Sequence, residues 1–437
     1  MSGFEIKKED IQIITELVSR FINRSTSPLP LNLRKNIAIT HYYTEIIRFW
    51  NKLNYIIRRI LKSSYPIDSD RLSSFLYVTY RILWENASEK ELSKEIEGLD
   101  KKFLVKVNNF SLSKSIRYKN EKEKLSILEA IPSFMIDHLL PVMSIDYIKD
   151  NVKFMNGTEN RIEITLRINN LQKNLVYEDL LEQIKENFNK NKVVYRRDSD
   201  IPELFWIPIS QKNRVIRSSF YQRGYLIFQD KASAIAIHLL SPQKNDKICD
   251  MCAAPGIKTN LIAQFMNNKG NILGGEFLLE RAKIMKNLLK QLNVLNTHII
   301  NTDSIIFPIR YQNYFDLILL DAPCTGSGTF LRNPELKWRQ NEKFLQQNLT
   351  LQKKLLDSAL KLLKPKGILL YCTCSLYPEE GEYQILNYLD RFDPLDLPDW
   401  ISPSYKIENR TIPGTGRLFP SIHHTQGFFI GKFKKRE

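Results

Sequence analysis

A cysteine-containing stretch near the end of the chain has the residue types for covalent chemistry. The sequence Tyr-Cys-Thr-Cys-Ser at residues 371–375 follows an apolar run and precedes Leu-Tyr-Pro-Glu-Glu. This pattern predicts a buried strand, then a loop, then an acidic helix start. Because open α/β sheets bind ligands at the carboxyl ends of their strands, Cys374 is a candidate nucleophile. Cys372 shares its strand face but lies deeper, which predicts a core residue. From this stretch alone, a small core residue is the commoner role for Cys374 too.

Carboxylates end or follow three further candidate strands in the same half of the chain. They are Glu276 at the end of residues 271–276, Asp303 after residues 297–300 and Asp321 after residues 315–320. A carboxylate in such a position can accept hydrogen bonds from both hydroxyls of a ribose. Each one alone is more often a loop or cap residue. Together they predict a site for a nucleoside-containing cofactor, with Cys324 close by in the sequence Asp-Ala-Pro-Cys.

The loop after residues 247–249, the first predicted strand of this half, is rich in small residues. It reads Asp-Met-Cys-Ala-Ala-Pro-Gly-Ile-Lys-Thr at residues 250–259. Small side chains let the backbone approach a ligand, and a helix N-terminus adds amide donors. The loop is not a nucleotide P-loop, because its first glycine is missing and Ile257 separates Gly256 from Lys258.

These segments belong to a region in which strands and helices alternate. The alternation predicts an α/β domain over residues 236–437 with a doubly wound parallel sheet. A strand at residues 162–168, a helix at 176–188 and a strand beginning at 193–195 predict a small α+β module over residues 131–235.

Arginines interleave with aromatic residues in this module, and the two types can hold a single nucleic-acid strand by phosphate contacts and base stacking. A charged rim is an equally open interpretation. The residues are Arg196, Arg197, Arg214, Arg217, Arg223, Tyr195, Phe220 and Tyr221.

Residues 1–130 have helical periodicity and contain no catalytic constellation. Cap signals lie at Ser88 and at Asp68 or Ser69. Their basic residues fit RNA or protein contact, and the solvated face of an ordinary bundle is as good an interpretation.

Composition narrows the classes of function. The formal charge of +16 and the pI of about 9.4 favour a polyanionic partner, most simply nucleic acid, although a charged surface that serves solubility fits too. The five cysteines are an odd number, and the single C-x-x-C has no second pair, so neither a disulfide framework nor a zinc site is expected. Without an apolar run of membrane-spanning length or an apolar signal core, the protein is expected in the cytosol.

Three motifs resemble those of the Nol/Nop/Sun family of S-adenosylmethionine-dependent RNA cytosine-5 methyltransferases. They are residues 250–259, residues 371–375 and the sequence Asp-Ala-Pro-Cys-Thr-Gly-Ser-Gly at residues 321–328. The likeness covers roughly residues 130–433 and includes Gly427-Phe428-Phe429. The N-terminal helices more loosely resemble the NusB-type RNA-binding domain of bacterial ribosomal RNA members. The resemblance implies a Rossmann-like class I methyltransferase domain and S-adenosylmethionine as cofactor. It also implies RNA as partner, ribosomal before transfer RNA, and we expect a monomer without metal or membrane contact.

The resemblance also implies roles for individual residues. Cys374 would be the nucleophile, and Cys324 would help to release the methylated product. Glu276 would hold the ribose, Asp303 would lie by the adenine, and Asp321 would lie near the methyl donor and the target base. The cofactor loop and its basic neighbour would be Cys252, Ala253, Ala254, Pro255, Gly256, Ile257, Lys258 and Arg281.

The chemistry explains the need for two thiols. Carbon 5 of cytosine is a poor nucleophile, and thiolate addition at carbon 6 makes it enamine-like and able to attack a sulfonium methyl group. Asp321 is a candidate to assist by protonating ring nitrogen 3. The nucleophile needs a lowered pKa, for which Lys258 or a positive helix end is a candidate. The target base must leave any stack to reach the site.

Three positions depart from the family pattern. Ile257 stands where a second glycine is usual, Glu276 replaces Asp, and Gln426 replaces an acidic residue. None of them removes a catalytic atom.

Two other functions stay open. The chain could be an RNA-binding ribosome-assembly factor that uses the methyltransferase fold as a scaffold, although both thiols argue against it. The chain could also be a DNA cytosine methyltransferase. Those enzymes usually place their nucleophile in the Pro-Cys motif, which here holds Cys324.

Overall fold

The structure is a computed structural model that describes most of the chain. The described residues are 6–23, 29–30, 32–62, 67–98, 100–111, 117–157, 163–172, 176–307 and 311–437. The chain divides into two compact units. The helical unit comprises residues 1–140, 145–152 and 330–341, and the sheet unit comprises residues 141–144, 153–329 and 342–437.

The helical unit forms because apolar residues recur along one face of each helix. Ile14, Tyr42, Ile46, Leu53 and Leu76 are fully buried in one shared core. The predicted caps are confirmed at Asp68, which accepts from two backbone amides, and at Ser88, which forms a capping box with Glu91. Its helices are Lys8–Ile22, Ile37–Arg48, Trp50–Leu61, Ser69–Glu85, Glu89–Glu95, Lys101–Asn108, Glu121–Leu128 and Ser133–Leu139, with 3₁₀ turns at Leu33–Lys35 and Pro334–Arg339. The chain leaves the unit within the helix Ile145–Asn156.

Residues 330–341 cluster with these helices, although the sequence placed them in the α/β domain. Side-chain hydrogen bonds explain the position. Trp338 Nε1 donates to Ile47 O at 2.6 Å, and the buried Lys337 Nζ donates to Arg48 O and Ala130 O at 3.2 and 3.0 Å. The three-domain division with boundaries near residues 130 and 235 stays a prediction, and the compact units differ from it at this segment.

A small antiparallel sheet opens the sheet unit. Its order is β2-β3-β1-β4, and the helix Tyr177–Lys190 packs on it through Ile184 and Phe188. Residues 193–195 were predicted to begin a strand, but β2 starts only at Arg196. Val193 N instead donates to Phe188 O at 2.8 Å and closes the helix. Residue 162, the predicted start of β1, lies outside the described residues. The strands are β1 (Glu163–Ile168), β2 (Arg196–Arg197), β3 (Leu204–Pro208) and β4 (Leu226–Phe228).

The main sheet has nine strands in the order β11-β12-β13-β9-β8-β5-β6-β7, and β10 pairs with β13. Strands β5 to β9 are parallel, as predicted. The sheet is not parallel throughout, because β13 pairs antiparallel with β9. Strands β10 and β12 in turn each pair antiparallel with β13. The strands are β5 (Lys247–Asp250), β6 (Asn271–Glu276), β7 (Thr297–Asn301), β8 (Phe315–Asp321), β9 (Leu363–Thr373), β10 (Phe392–Pro394), β11 (Ser402–Pro403), β12 (Thr415–Leu418) and β13 (Phe428–Lys435).

Helices cover this sheet. The longest, Glu342–Leu362, buries Leu355, Leu356 and Ala359 in a core beneath β8 and β9. The remaining helices of the unit are Lys212–Ile216, Ser219–Gln222, Lys231–Leu240, Ile257–Phe265, Leu279–Gln291, Glu382–Leu386 and Pro420–His423, with 3₁₀ turns at Ile209–Gln211, Ser304–Ile306 and Pro378–Glu380. Within the described ranges, no helix has the length and apolar character to span a membrane.

Arg167 joins β1 to the helix Ile257–Phe265 inside the sheet unit. Its buried guanidinium donates to Gln229 Oε1, Asn260 Oδ1 and Gln264 Oε1, each at 2.6 Å. No carboxylate among the described residues forms an ion pair with it, and burial lowers its pKa to about 10. The connection therefore depends on neutral acceptors that need this donor.

Replacing Arg167 by Met should lower the free energy of unfolding by about 3 kcal/mol, because three buried acceptors lose their donor at roughly 1 kcal/mol each. Urea denaturation of the purified chain measures the change. The control is Arg196→Met, which removes a half-exposed ion pair with Glu163 and should cost less than about 1 kcal/mol. Equal losses in both variants would contradict this account.

Candidate active site

Two thiols meet at the carboxyl edge of the parallel strands. Cys374 directly follows β9, Cys324 lies three residues after the end of β8, and their Sγ atoms are 3.1 Å apart. Both side chains are half-buried free thiols. The backbone holds the two loops together, since Ala322 N donates to Cys372 O at 2.9 Å and Gly328 N donates to Cys374 O at 3.0 Å.

The surroundings of Cys324 favour its protonated form. The hydrogen bond with Cys374 and burial both raise the pKa of the Cys324 thiol well above its ordinary value. Cys324 therefore keeps its proton at neutral pH and can donate it to Cys374. Cys372 is fully buried in the core of the sheet, where burial raises its pKa too.

A lysine and an aspartate form an ion pair at the same edge. Lys258 Nζ lies 2.6 Å from Asp321 Oδ2. Burial opposes the charge of Lys258, but the Asp321 carboxylate holds its pKa above the usual range. The sequence offered Lys258 or a positive helix end as the group that lowers the thiol pKa, and that role stays a prediction. In the structure the Lys258 ammonium pairs with Asp321, because a carboxylate attracts an ammonium more strongly than a neutral thiol does.

Gly256 gives the small-residue loop its shape. It has φ 103° just before the helix Ile257–Phe265, and a Cβ there would lie 3.0 Å from Met285 Cγ. Ala253 and Ala254 pack against Met285 and Leu289, so the loop also needs small residues for packing. Ile257, the departure from the family pattern, is the first helical residue and has no positive φ. A glycine is therefore not required at that position.

A buried carboxylate lies beside this loop. Glu276 accepts a hydrogen bond from Leu278 N at 2.9 Å and lies 3.6 Å from Arg281 Nη1. Arg281 Nη2 also donates to Ala254 O at 2.8 Å, which links the loop to the end of β6. Burial and the nearby carboxylates, among them Asp250, raise the pKa of Cys252.

Asp303 lies at the end of the next strand. It is half-buried, and its Oδ1 accepts from Ile305 N at 3.0 Å as the cap of the turn Ser304–Ile306. The cap occupies one oxygen of the carboxylate. Asp303 therefore serves as the local cap that the sequence allowed, whatever else it binds.

The sequence did not reveal the role of Asp250 at the start of the loop. Its buried carboxylate accepts from Thr259 Oγ1 at 2.7 Å, which ties the two ends of the loop together. Burial raises its pKa to about 7. An aspartate immediately before the small-residue loop was the available signal.

Glu380 was also missed, because the Pro-Glu-Glu sequence was interpreted only as an acidic helix start. The side chain is instead fully buried and accepts from Thr325 N at 2.9 Å and from Gln352 Nε2 at 3.0 Å. Burial raises its pKa despite these hydrogen bonds. It therefore anchors the residue that follows Cys324.

Arg417 and Glu382 form a fully buried ion pair beneath the loop that follows Cys374. Arg417 donates to Ser375 O at 2.9 Å and to Tyr377 O at 3.1 Å. No sequence motif marks Arg417, which lies 43 residues beyond Cys374 in the printed numbering. This arginine holds the backbone next to the candidate nucleophile.

The terminal motif reaches the same place through its backbone. Gly427 N donates to Gly328 O at 2.9 Å, and a Cβ on Gly328 would collide with the Gly427 backbone. The contact needs no side chain at residue 426. The glutamine at that position therefore does not disturb it.

A family model described as 16S rRNA methyltransferase RsmB/F matches residues 237–434. This part of the chain belongs to the RsmB/F family. The resemblance to Nol/Nop/Sun proteins is thereby confirmed for the RsmB/F domain, whereas the NusB-like character of the helical unit stays a prediction.

Relatives carry names that refer to ribosomal RNA. A 28S rRNA (cytosine(4447)-C(5))-methyltransferase of Homo sapiens is 31% identical over 334 residues, which are 72% of this chain and 39% of the relative. The ribosomal RNA small subunit methyltransferase F of Escherichia coli is 32% identical over 243 residues, which are 54% of this chain and 50% of the relative. The chain spans half or less of the length of these two relatives.

Solved structures confirm the fold class of the RsmB/F domain. The crystal structure of PH0851 superposes with a TM-score of 0.79 at 26% identity and covers 99% of this chain and all of that one. A methyltransferase homologue protein from Pyrococcus horikoshii gives 0.61 at 27% identity, over 73% of this chain and all of that one. The Rossmann-like class I methyltransferase fold predicted from the sequence is therefore present.

Arg417→Met should lower the free energy of unfolding by about 3–5 kcal/mol, because it leaves the Glu382 charge buried without a partner. Thermal and urea unfolding measure the loss. Changing Glu382 to Leu in the same chain should recover part of it, since no unpaired charge is left. Arg436→Gln is the matched control, because its ion pair with Asp393 is about half exposed, and it should cost less than about 1 kcal/mol. A double variant less stable than Arg417→Met would rule out the unpaired charge as the cause.

Proposed function

We propose that the chain is an S-adenosylmethionine-dependent methyltransferase acting on carbon 5 of cytosine in ribosomal RNA. The observation that carries the proposal is the thiol pair, with 3.1 Å between the Sγ atoms of Cys324 and Cys374, inside an RsmB/F domain. Relatives named as ribosomal RNA cytosine-5 methyltransferases supply the substrate class. Transfer RNA is the second substrate that the same chemistry would serve. A cytosolic location and a monomeric state stay predictions.

The residues at the strand ends fit an adenosine-containing cofactor. The Glu276 carboxylate is buried beside a loop of small residues, and a helix N-terminus follows the loop. An exposed apolar residue follows Glu276 in the sequence, and another follows Asp303 after three residues. Phe277 is 68% exposed and Ile306 is 73% exposed, and both offer surface for a flat base. Neither residue was identified from the sequence. The pattern that could have identified them is an apolar residue shortly after a strand-end carboxylate.

We assign the holding of S-adenosylmethionine to Glu276 for the ribose, to Asp303 and Phe277 for the adenine side, and to the loop at residues 252–258 with Arg281. The cofactor supplies an electrophilic methyl group on its sulfonium. The domain's own residues have to make the cytosine reactive toward it.

Cys374 begins that work by adding its thiolate to carbon 6 of the target cytosine, which makes carbon 5 nucleophilic. Cys324, whose raised pKa keeps it protonated, lies within hydrogen-bond distance of Cys374. Asp321, which accepts a hydrogen bond from the Lys258 ammonium, is the group we assign to ring nitrogen 3, and the proton that it passes to this nitrogen comes from Lys258. After methylation, a solvent water takes the proton from carbon 5, the electron pair left behind expels the Cys374 thiolate, and ring nitrogen 3 returns its proton to Asp321. We assign the promotion of this release to Cys324.

The thiols have separable roles that mutation tests. Cys374→Ala should reduce methyl transfer to RNA by about 10³-fold or more and form no covalent RNA adduct, because the attacking atom is gone. Cys324→Ala should form the adduct but release it slowly, so that the complex accumulates on denaturing gels. Cys249→Ala, which removes a core thiol, is the control and should do neither. If Cys374→Ala stays active while Cys324→Ala forms no adduct, the assignment is reversed.

Cofactor binding gives an independent test. Glu276→Gln should weaken S-adenosylmethionine binding about tenfold in calorimetry, because a charge-assisted acceptor for the ribose hydroxyls is lost. Glu280→Gln removes an exposed carboxylate four residues further on and is the control, with no change expected. Equal affinities for the two variants would exclude Glu276 as the ribose ligand.

Bisulfite sequencing of total RNA from cells with and without the gene identifies the target directly. A cytosine in ribosomal RNA that loses its modification supports the proposal. If no cytosine changes, the chain fits the alternative of an RNA-binding assembly factor that keeps the fold as a scaffold.

A further inference from the structure

A polar cleft of about 480 Å³ lies within the helical unit, and its lining includes no residue of the thiol pair or the cofactor loop. One wall is a face of the helix Trp50–Leu61. The other wall is Lys119, Asn120 and the helix Glu121–Leu128. The cleft residues of the first wall are Asn51, Asn54, Tyr55 and Arg58, whose spacing puts them on one face of that helix.

Hydrogen bonds between the walls hold the cleft open. Tyr55 Oη donates to Arg117 O at 3.2 Å and accepts from Arg117 N at 3.0 Å. Asn51 Nδ2 donates to Ser126 O at 2.7 Å. The cleft is therefore pre-formed, which reduces the entropy lost when a ligand binds.

Two cations in the cleft have no carboxylate partner among the described residues. Lys122 pairs with Asp137, and the Glu123 carboxylate accepts from the backbone amide of Lys119 at 2.6 Å. The Arg58 guanidinium forms only a 3.3 Å bond to Asn54 Oδ1 within the described chain, and the Lys119 ammonium forms none there. Arginine and lysine without counter-charges are what a phosphate needs.

The cleft also has groups that suit a base. Within the described residues, Asn51 Oδ1 is buried but accepts no hydrogen bond, so it lacks a donor that a ligand can supply. Tyr118, next to Lys119 in the sequence, is 44% exposed, and Lys124 Nζ lies 5.0 Å from the centroid of its ring. Amides that read base edges, with an aromatic ring for stacking, are typical of single-strand RNA recognition.

We propose that this cleft binds one nucleotide of a single-stranded RNA segment, and that this nucleotide is not the cytosine that is methylated. Arg58 and Lys119 hold the phosphate, Asn51 accepts from the base edge, and Tyr118 stacks on a neighbouring base. The volume suits a single nucleotide. The inference rests on the RNA substrate proposed above and assigns part of its recognition to the helical unit.

Charge removal in the full-length chain tests the cleft. The variant carries Arg58→Gln and Lys119→Gln, and the probe is a short fluorescein-labelled single-stranded RNA of mixed sequence. Fluorescence anisotropy should show affinity reduced by at least about tenfold, because two charge-assisted phosphate contacts are lost. The slope of log affinity against log salt should fall by about 0.7, since the two cations hold one phosphate and each neutralised single-strand phosphate contributes about 0.7. In methylation assays, KM for RNA should rise while kcat stays unchanged.

A charge-matched control separates this site from general electrostatic attraction. Lys102→Gln with Lys106→Gln removes two exposed lysines from the helix Lys101–Asn108 of the same unit. It should change RNA affinity less than about twofold, and circular dichroism should show both double variants folded. The proposal is overturned if the two double variants bind the RNA equally. It is also overturned if the two variants differ only in their affinity for an acidic peptide used as a second probe. If the wild-type chain transfers no methyl group but the anisotropy difference is present, the cleft stands and the proposed activity fails.

Discussion

The parallel pairing of β8 with β9 is the constraint on which the site depends. Its register sets Asp321 opposite Cys372, so the loops that follow both strands begin side by side. Only then can Cys324 and Cys374, which are 50 residues apart, bring their sulfur atoms to 3.1 Å. A slip of one residue would turn the side chains of one strand to the other face of the sheet and separate the thiols.

Buried charge keeps the two loops in place. Arg417 with Glu382 holds the backbone after Cys374, and Glu380 holds the backbone after Cys324. Buried charges cost desolvation energy, so an apolar core of the same shape would be at least as stable. These groups supply hydrogen bonds to particular backbone atoms, which apolar side chains cannot do. We infer that the cost is tolerated because the reactive loops need a defined position.

Local sequence patterns were enough to predict much of the architecture. The strand ends at Glu276 and Asp321 and the helix caps at Asp68 and Ser88 agree with the sequence within about a residue, because apolar runs and caps act over short distances. Features that depend on contacts between distant parts of the chain could not be predicted from the sequence. The antiparallel β13 and the clustering of residues 330–341 with the helices depend on partners far away in the chain.

The sequence by itself determined the fold class, the cofactor-loop motif and the two thiols that chemistry would need, since these are properties of residue type and spacing. Tertiary structure alone decided that Lys258 pairs with Asp321, that Glu380 and Glu382 face inward, and that Arg417 reaches the loop after Cys374. The physical reason is that burial and electrostatic pairing depend on distance in space. One sequence shows which groups are charged, but not which of them will lose water and which partner each will meet.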